Sequence, residues 1–334
     1  MSVSPLIPAS GLAPLPGELQ YAWTVPFAST RLGILLVMIV GAASAQELTR
    51  PVESVLEAQV ELHRRGFSCG SIDGVTGPQT AAALRAFQRF AQLAETGILN
   101  PDTREQLQLT APALTTHLVS EEELATMRPV PPTWLEKSQL IALTHATALE
   151  LIAERYRASP RFVRRLNPDV NWDAVPAGTR VTVPAVAGIT FPAKAALLTI
   201  RLEARTLEAA DADGRILAHF PVSIARKVEK RPRGELRITV VIPDPNYTFD
   251  PQMYPESPEA KESFTRKLIM PPGPNNPVGL AWIGLDLPGY GIHGTPEPEK
   301  VGRTESHGCF RLANWDAVAL VTLVAVGVTV VVEL

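Results

Sequence analysis

The sequence predicts a multidomain chain: a small all-α module of three helices, a small α+β module, and a mostly-β domain filling the C-terminal part. Three observations carry this. Residues 51–110 place apolar side chains at helical spacing, residues 138–185 order two helices ahead of a strand, and from residue 189 the apolar period becomes that of strands. A length of 334 residues exceeds what one core usually serves, since single cores stop growing at about 250–300 residues. With 46% hydrophobic and 19% charged residues the chain can bury real cores, and a net charge of −3 offers no basic face, which excludes nucleic acid as a partner. The 31 prolines gather in the leader, the connectors and residues 243–277, where they mark joints and long loops.

The first element is a targeting segment. Residues 32–40 (LGILLVMIV) follow Arg31, and Ala43-Ser44-Ala45 has the small-x-small form of a signal peptidase site. The run is short of the about 20 apolar residues a membrane span needs. The expectation is a signal peptide over 1–45, with membrane contact only transient during export to the periplasm or cell wall. The stretch before Arg31 is long for a leader, and the expectation is a start codon further downstream.

In the helical module, Leu56, Val60 and Leu62 mark one helix. Ala83, Leu84, Phe87, Phe90 and Ala91 mark a second, begun at Pro78, and Asn100-Pro101-Asp102 opens a third. A glycine-rich turn, 66–77, separates the first two and holds Cys69 in a tight loop. The pattern Gly66-Phe67, Gly70, Ile72-Asp73-Gly74, Gly77-Pro78, Thr80, Ala83-Leu84 and Phe87-Gln88 resembles the peptidoglycan-binding domain 1 family. The resemblance implies a three-helix domain over 51–110 that recognises peptide stems of the cell wall.

A linker over 111–137, with Pro-rich 128–132, leads to a module over 138–185. Helices over 148–156 and 160–166 precede Asn167-Pro168 and a strand in 176–184. The Leu-Asn-Pro and Ala-Gly-Thr-x-Val-x-Val-Pro pieces resemble a LysM domain, which implies contact with N-acetylglucosamine chains. A short αα-β linker domain would leave similar traces.

The last domain spans 189–334. Residues 197–202, 215–224 and 236–242 are strand-like runs, Asp213-Gly214 is a hairpin turn, and 321–332 reads as a buried closing strand. Within it, Gly291-Ile292-His293-Gly294-Thr295 and Ser306-His307-Gly308-Cys309-Phe310-Arg311-Leu312 bring two histidines and one of the two cysteines together. A thiol near an imidazole can be held as thiolate, and flanking glycines let backbone N–H groups approach a carbonyl. The pattern points to a cysteine nucleophile and acyl transfer. A disulfide to Cys69 is disfavoured by the separation of the two motifs. A zinc site is disfavoured because Cys309, His293 and His307 supply at most three ligands.

These motifs, with Pro271-Pro272-Gly273-Pro274-Asn275-Asn276-Pro277-Val278-Gly279, Trp282-Ile283 and Asn314-Trp315, resemble the L,D-transpeptidase (YkuD) catalytic domain. The resemblance implies a β-sandwich and a peptidoglycan-building enzyme. Its cysteine takes the acyl group of a tetrapeptide stem, releases D-alanine and passes the acyl group to an amine, giving a 3→3 cross-link. It implies no metal and no organic cofactor, and acylation of Cys309 by carbapenems. Cys309 is then the nucleophile, and His293 the base and acid, its other ring nitrogen fixed by a carbonyl near Gly294. His307 polarises the site, orients Ser306 or is itself the base. Gly308 and Cys309 supply oxyanion N–H groups, and Arg311 either holds a substrate carboxylate or makes a structural ion pair. Trp282 and Tyr290 join Arg311 as substrate-binding residues. Residues 243–277 read as a proline-rich lid, with Tyr247, Phe249, Tyr254 and Trp282 lining an acceptor groove, and deletion of 250–262 is expected to raise hydrolysis. An L,D-carboxypeptidase using the same thiol and an inactive wall-binding protein are the alternatives.

Overall fold

The computed structural model describes residues 49–186, 188–255, 257–262, 264–303 and 308–334; the expected leader, Ser306 and His307 lie outside the described residues. Helix α1 (Val55–Arg64) begins at Ser54, whose Oγ accepts from the Glu57 N–H at 3.2 Å, one of the partners a first helical turn otherwise lacks. Helix α2 (Pro78–Phe90) begins on proline, whose missing N–H costs nothing there. Helix α3 (Pro101–Gln106) is capped by Asn100, whose Oδ1 accepts from Thr103 N–H at 2.9 Å. The module's ends are tied by β1 (Arg50–Pro51) pairing antiparallel with β2 (Gln108–Leu109). Leu62, Phe67, Leu84, Phe87 and Leu107 fill its core beside Cys69, which is buried and, like Cys309, free of any disulfide.

Residues 111–137, expected as a linker, are structured. Strand β3 (Leu114–Leu118) pairs antiparallel with β4 (Arg180–Pro184). Capping boxes start α4 (Glu121–Thr126) at Ser120 and α5 (Trp134–Ser138) at Thr133. Helices α6 (Ala148–Arg155) and α7 (Pro160–Leu166) form at the expected positions, capped by Thr147 and Ser159. The module thus runs β3–α4–α5–α6–α7–β4, and its first strand lies outside 138–185. That strand reads Leu-Thr-Thr-His-Leu, with partly buried and exposed positions, so it shows no apolar alternation to betray it.

Among the described residues the C-terminal domain has ten strands: β5 (Leu197–Arg201), β6 (Thr206–Ala210), β7 (Ile216–Pro221), β8 (Gly234–Pro243), β9 (Tyr247–Phe249), β10 (Leu268–Met270), β11 (Ala281–Leu285), β12 (Gly291–His293), β13 (Phe310–Arg311) and β14 (Thr329–Glu333). Eight form one sheet in the order β13-β12-β11-β8-β14-β5-β6-β7, while β9 and β10 make a separate hairpin. The long β8 pairs β11 with one end and β14 with the other. Beyond β7, Ser223 N–H donates to the Arg311 carbonyl at 2.9 Å and Arg311 N–H to the Ser223 carbonyl at 3.0 Å, so the sheet's two edges meet. The expected sandwich is therefore a single curled sheet around Leu198, Ile200, Phe220, Ile283 and Phe310.

Two strand expectations change. The Asp213-Gly214 turn joins β7 to β6, whose Thr-Leu-Glu-Ala-Ala sequence gives little strand signal. Residues 321–332 are not one strand: α9 (Asn314–Leu323) ends among them, Gly327 turns the chain at φ +92°, and β14 follows. Burial of Leu320 and Leu323 against the sheet outweighs the β-preference of the valines.

The modules share hydrogen bonds rather than hanging on tethers. Ser68 N–H donates to the His219 carbonyl at 2.8 Å and His219 N–H to the Gly66 carbonyl at 3.0 Å, covering the sheet edge at β7. Gln79 Nε2 donates to the Val301 carbonyl at 2.7 Å, ahead of the cysteine, and Ser68 Oγ to Asp316 Oδ2 at 2.9 Å, behind it. Burial raises the Asp316 carboxyl from 3.8 to about 7, against the opposing pull of Ser68 and Arg157. The folded chain thus holds a proton there that the unfolded chain releases near pH 4, so this group's contribution falls as pH rises from about 4 to 7, by on the order of 4 kcal/mol. Asp316→Asn is expected to raise the unfolding midpoint at pH 8 and leave it nearly unchanged at pH 4. Equal shifts at both pH values in denaturant titrations would reject this.

Candidate active site

Strands β12 and β13 run parallel, with Ile292 beside Phe310 and His293 beside Arg311, so Cys309 enters the sheet next to Gly291. Alternation along parallel neighbours turns Cys309, Arg311 and His293 to one face. On the other side, β11 sets Trp282 directly opposite His293, and their rings stack at 5.8 Å with 23° between planes.

His293 is buried and its Nδ1 lies 2.6 Å from the Gly294 carbonyl, an acceptor only. Nδ1 therefore carries the proton and Nε2 is left as a lone-pair acceptor. Burial, with Arg311 adding to it, lowers the imidazole to about 4. Cys309 is half-buried, with Sγ 3.5 Å from the Gly289 carbonyl. Burial raises its thiol, opposed by the Gly291 N–H and the Arg311 charge. The resting pair is thus a neutral thiol and a neutral imidazole. Removal of water acts on the sulfur more strongly than the Gly291 N–H and the Arg311 charge, which opposes a thiolate held at rest.

The surrounding glycines are packing requirements. A Cβ on Gly291 would stand 2.7 Å from the Trp282 ring, and one on Gly294 would stand 2.4 Å from Asn314 Oδ1. Asn314, fully buried, accepts from Leu280 N–H at 3.2 Å and donates to the Pro274 carbonyl at 3.0 Å and to Glu154 at 3.2 Å. It fixes the loop before β11 against the end of β12. Gly291 and Asn314 were visible as motif letters, but nothing in the sequence assigns them these tasks. A Cβ on Gly308 would lie 3.9 Å from the Tyr290 ring, which sets Tyr290 beside the thiol loop. Arg311 is half-buried, its guanidinium lowered by burial and held up by Glu297 and Cys309.

The hairpin of β9 and β10 carries Tyr247, whose hydroxyl lies 2.7 Å from that of Tyr254. Burial, Tyr254 and the nearby Cys309 sulfur all push the Tyr247 hydroxyl up. Tyr247 thus lies within electrostatic reach of the thiol. Phe249, expected in a groove, is instead fully buried, stacked on Trp134 at 4.3 Å. Trp134 begins α5, in the segment expected as a linker, and its N–H and that of Leu135 donate to Glu259 Oε1 at 2.6 and 3.1 Å. Glu259 lies on α8 (Pro258–Lys261), within the 243–277 segment, so the former connector clasps that segment in place.

A curled sheet bearing a cysteine and a histidine at its edge, with a helical module and a mixed α/β module docked on it, defines a protein of three modules with a half-buried thiol on its sheet domain. Residues 195–332 match the family model described as the YkuD L,D-transpeptidase catalytic domain, and residues 51–107 that of a putative peptidoglycan binding domain. The chain carries both domains. It is 28% identical over 183 residues to the putative L,D-transpeptidase YkuD of Bacillus licheniformis, covering 54% of this chain and 91% of that protein. With the probable L,D-transpeptidase ErfK/SrfK of Escherichia coli it shares 28% over 219 residues, 63% of this chain and 69% of that one. A solved L,D-transpeptidase from Mycobacterium smegmatis aligns over 48% of this chain and 65% of that one at 22% identity, with a TM-score of 0.33.

Proposed function

We propose that the protein is an exported L,D-transpeptidase that cross-links peptidoglycan through an acyl-enzyme on Cys309. The observation that carries the reading is the fixed His293 tautomer beside a half-buried thiol on one face of β12 and β13. Cys309 Sγ attacks the stem carbonyl while its proton passes to His293 Nε2. The oxyanion is met by backbone N–H groups at Gly308 and Cys309. Collapse breaks the peptide bond, the departing D-alanine amine takes the proton from His293, and a thioester remains. An acceptor amine then attacks, gives a proton to His293 and displaces the sulfur, which is reprotonated. Every step is a proton or acyl transfer that the thiol and imidazole complete between them. Ser306 and His307, outside the described residues, belong to this reading as supporting groups. Arg311, Trp282 and Tyr290 are its substrate-binding residues, and carbapenems its expected covalent inhibitors.

Mass spectrometry after incubating the chain with disaccharide-tetrapeptides tests this: dimers lacking one D-alanine are expected. Tripeptide alone would establish the carboxypeptidase reading instead, and no product would leave a wall-binding protein. The neutral resting pair adds a pH signature. With the imidazole near 4, the base is competent across neutral pH, and attack should quicken steadily toward alkaline pH as the thiol ionises. A bell centred near pH 6 in the rate of carbapenem acylation would contradict it.

Tyr247, within electrostatic reach of the thiol and packed against Trp134 at 6.2 Å, favours shielding of the thioester from water. Trp134→Ala is expected to raise the tripeptide-to-dimer ratio severalfold; an unchanged ratio would remove the shielding role. Export rests on the 1–45 leader: the exported protein is expected to begin at Gln46, and recovery of the chain only from the cytoplasm would reject export. The β3–β4 pairing, with α6 and α7 leading into β4, supports the LysM-like reading, which fails if N-acetylglucosamine oligomers leave the chain's tryptophan fluorescence unchanged.

A further inference from the structure

A cavity of about 380 Å³ lies where the three modules meet. The helical module lines it with Ser71 and Asp73, helix α7 with Arg161, Phe162 and Arg165, and the segment leading to the thiol with Glu299 and Arg303. Its size suits a ligand of a few residues. Two polar atoms at its wall, Ser71 Oγ and Glu299 Oε1, are buried without a hydrogen-bond partner among the described residues. Buried polar atoms nearly always have partners, so two orphans around one cavity mark a place where a donor from outside belongs.

The charges say what kind of donor. Asp73 is already occupied, accepting from the Gln59 side chain at 2.9 Å and from Val75 N–H at 2.8 Å. Arg165 is likewise engaged, donating to the Asp73 carbonyl at 2.6 Å with its guanidinium 4.9 Å above the Phe162 ring. Glu299, by contrast, offers an unused carboxylate oxygen, and no side-chain hydrogen bond or ion pair to Arg161 or Arg303 occurs among the described residues. A simple anion such as phosphate would be repelled by Glu299, and a polycation by three arginines. A neutral sugar would leave the guanidinium groups unused. A group with a carboxylate and an ammonium a few ångströms apart satisfies both sets at once.

We propose that this cavity is a docking subsite for the zwitterionic end of a wall peptide, a residue with a free amine and a free carboxylate, separate from the thiol. The proposal rests on the reading of the protein as one that acts on wall peptides. Position gives it a purpose. The same segment is pinned by Gln79 through the Val301 carbonyl and by Ser223 Oγ, which accepts from Gly302 N–H at 2.9 Å. A stem held there is tethered beside the chain that runs into Cys309, and its contacts with Ser71 come from the peptidoglycan-binding module itself.

The test is calorimetric titration of the full-length Cys309→Ala chain, which turns over no substrate, with a disaccharide-tetrapeptide carrying a free side-chain amine and carboxylate. A binding event is expected that weakens at least tenfold both when Arg161→Glu is added to that chain and when the peptide's amine is acetylated and titrated into the chain with Arg161 intact. Arg161 is exposed, so the variant should fold, and the acetylated peptide supplies the same test without any change at that residue. Binding that ignores both changes overturns the proposal. Loss with Arg161→Glu but not with acetylation also overturns it as stated, because the ammonium half would then be idle. Cross-linking assays report separately: absence of dimers would remove the transpeptidase reading while leaving an Arg161- and amine-dependent subsite intact.

Discussion

Cys309→Ala is expected to abolish both cross-linking and the covalent carbapenem adduct, a loss of at least about 10⁴-fold, because removal of the nucleophile leaves only positioning and oxyanion contacts. The fold should survive. Cys309 is half-buried at the entry to a short strand, and the Ser223–Arg311 bonds that close the sheet are made by backbone atoms. Cys309→Ser should fare no better than alanine, since a site that raises a thiol by desolvation raises a hydroxyl from an already higher starting point. Cys69 provides the internal control. It is buried in the helical module and burial pushes its thiol far up, so it is inert to acylation. Cys69→Ala should keep the adduct. Intact-mass measurement after carbapenem treatment checks all three variants, and an adduct persisting in Cys309→Ala would remove the assigned nucleophile.

What could be read in advance follows from how local each signal is. Helices α1, α2, α3, α6 and α7 carry their own start signals, a capping Ser, Asn or Thr or an initial proline, and each lies where the sequence places it. The thiol and imidazole are likewise local, because Cys309 and His293 sit in glycine-flanked motifs. The failures are long-range. Strand β3 is a strand only because β4 pairs with it across the intervening helices, and Leu-Thr-Thr-His-Leu announces nothing by itself. Trp134 looks like a stray aromatic in a connector until Phe249 arrives beneath it. Phe249 is buried for the same reason. The protonation of the site is also non-local: the motif suggests a thiolate, yet burial lowers the imidazole, on which Trp282 stacks, and raises the thiol.

Gly279→Ala is expected to be the most damaging single-methyl substitution near the site. Gly279 has φ +62°, which costs a residue with a side chain about 1–2 kcal/mol. The added methyl would also stand 1.9 Å from Asn314 Oδ1, 2.6 Å from Gly294 C and 2.7 Å from Thr295 N. Two of these three atoms are backbone just past His293, which cannot swing aside as a side chain can. Asn314 cannot yield freely either, since it ties Leu280, Pro274 and Glu154 together while fully buried. Relief must therefore come from moving the loop away from β12, which shifts the Gly294 carbonyl that fixes the His293 tautomer. Overpacking of this kind adds about 1–3 kcal/mol, for a total of roughly 2–5 kcal/mol and, with the imidazole released, a loss of acylation rate of about a hundredfold by misplacement alone. Gly178→Ala isolates the backbone part: its φ is +82° but nothing lies within 4 Å of the added methyl, so only the conformational cost of about 1–2 kcal/mol applies. Denaturant titration of the two variants should separate them by the overpacking increment. Equal destabilisation would mean that the loop before β11 can move without consequence, and that the histidine is held by something other than the Gly279–Asn314–Gly294 contact.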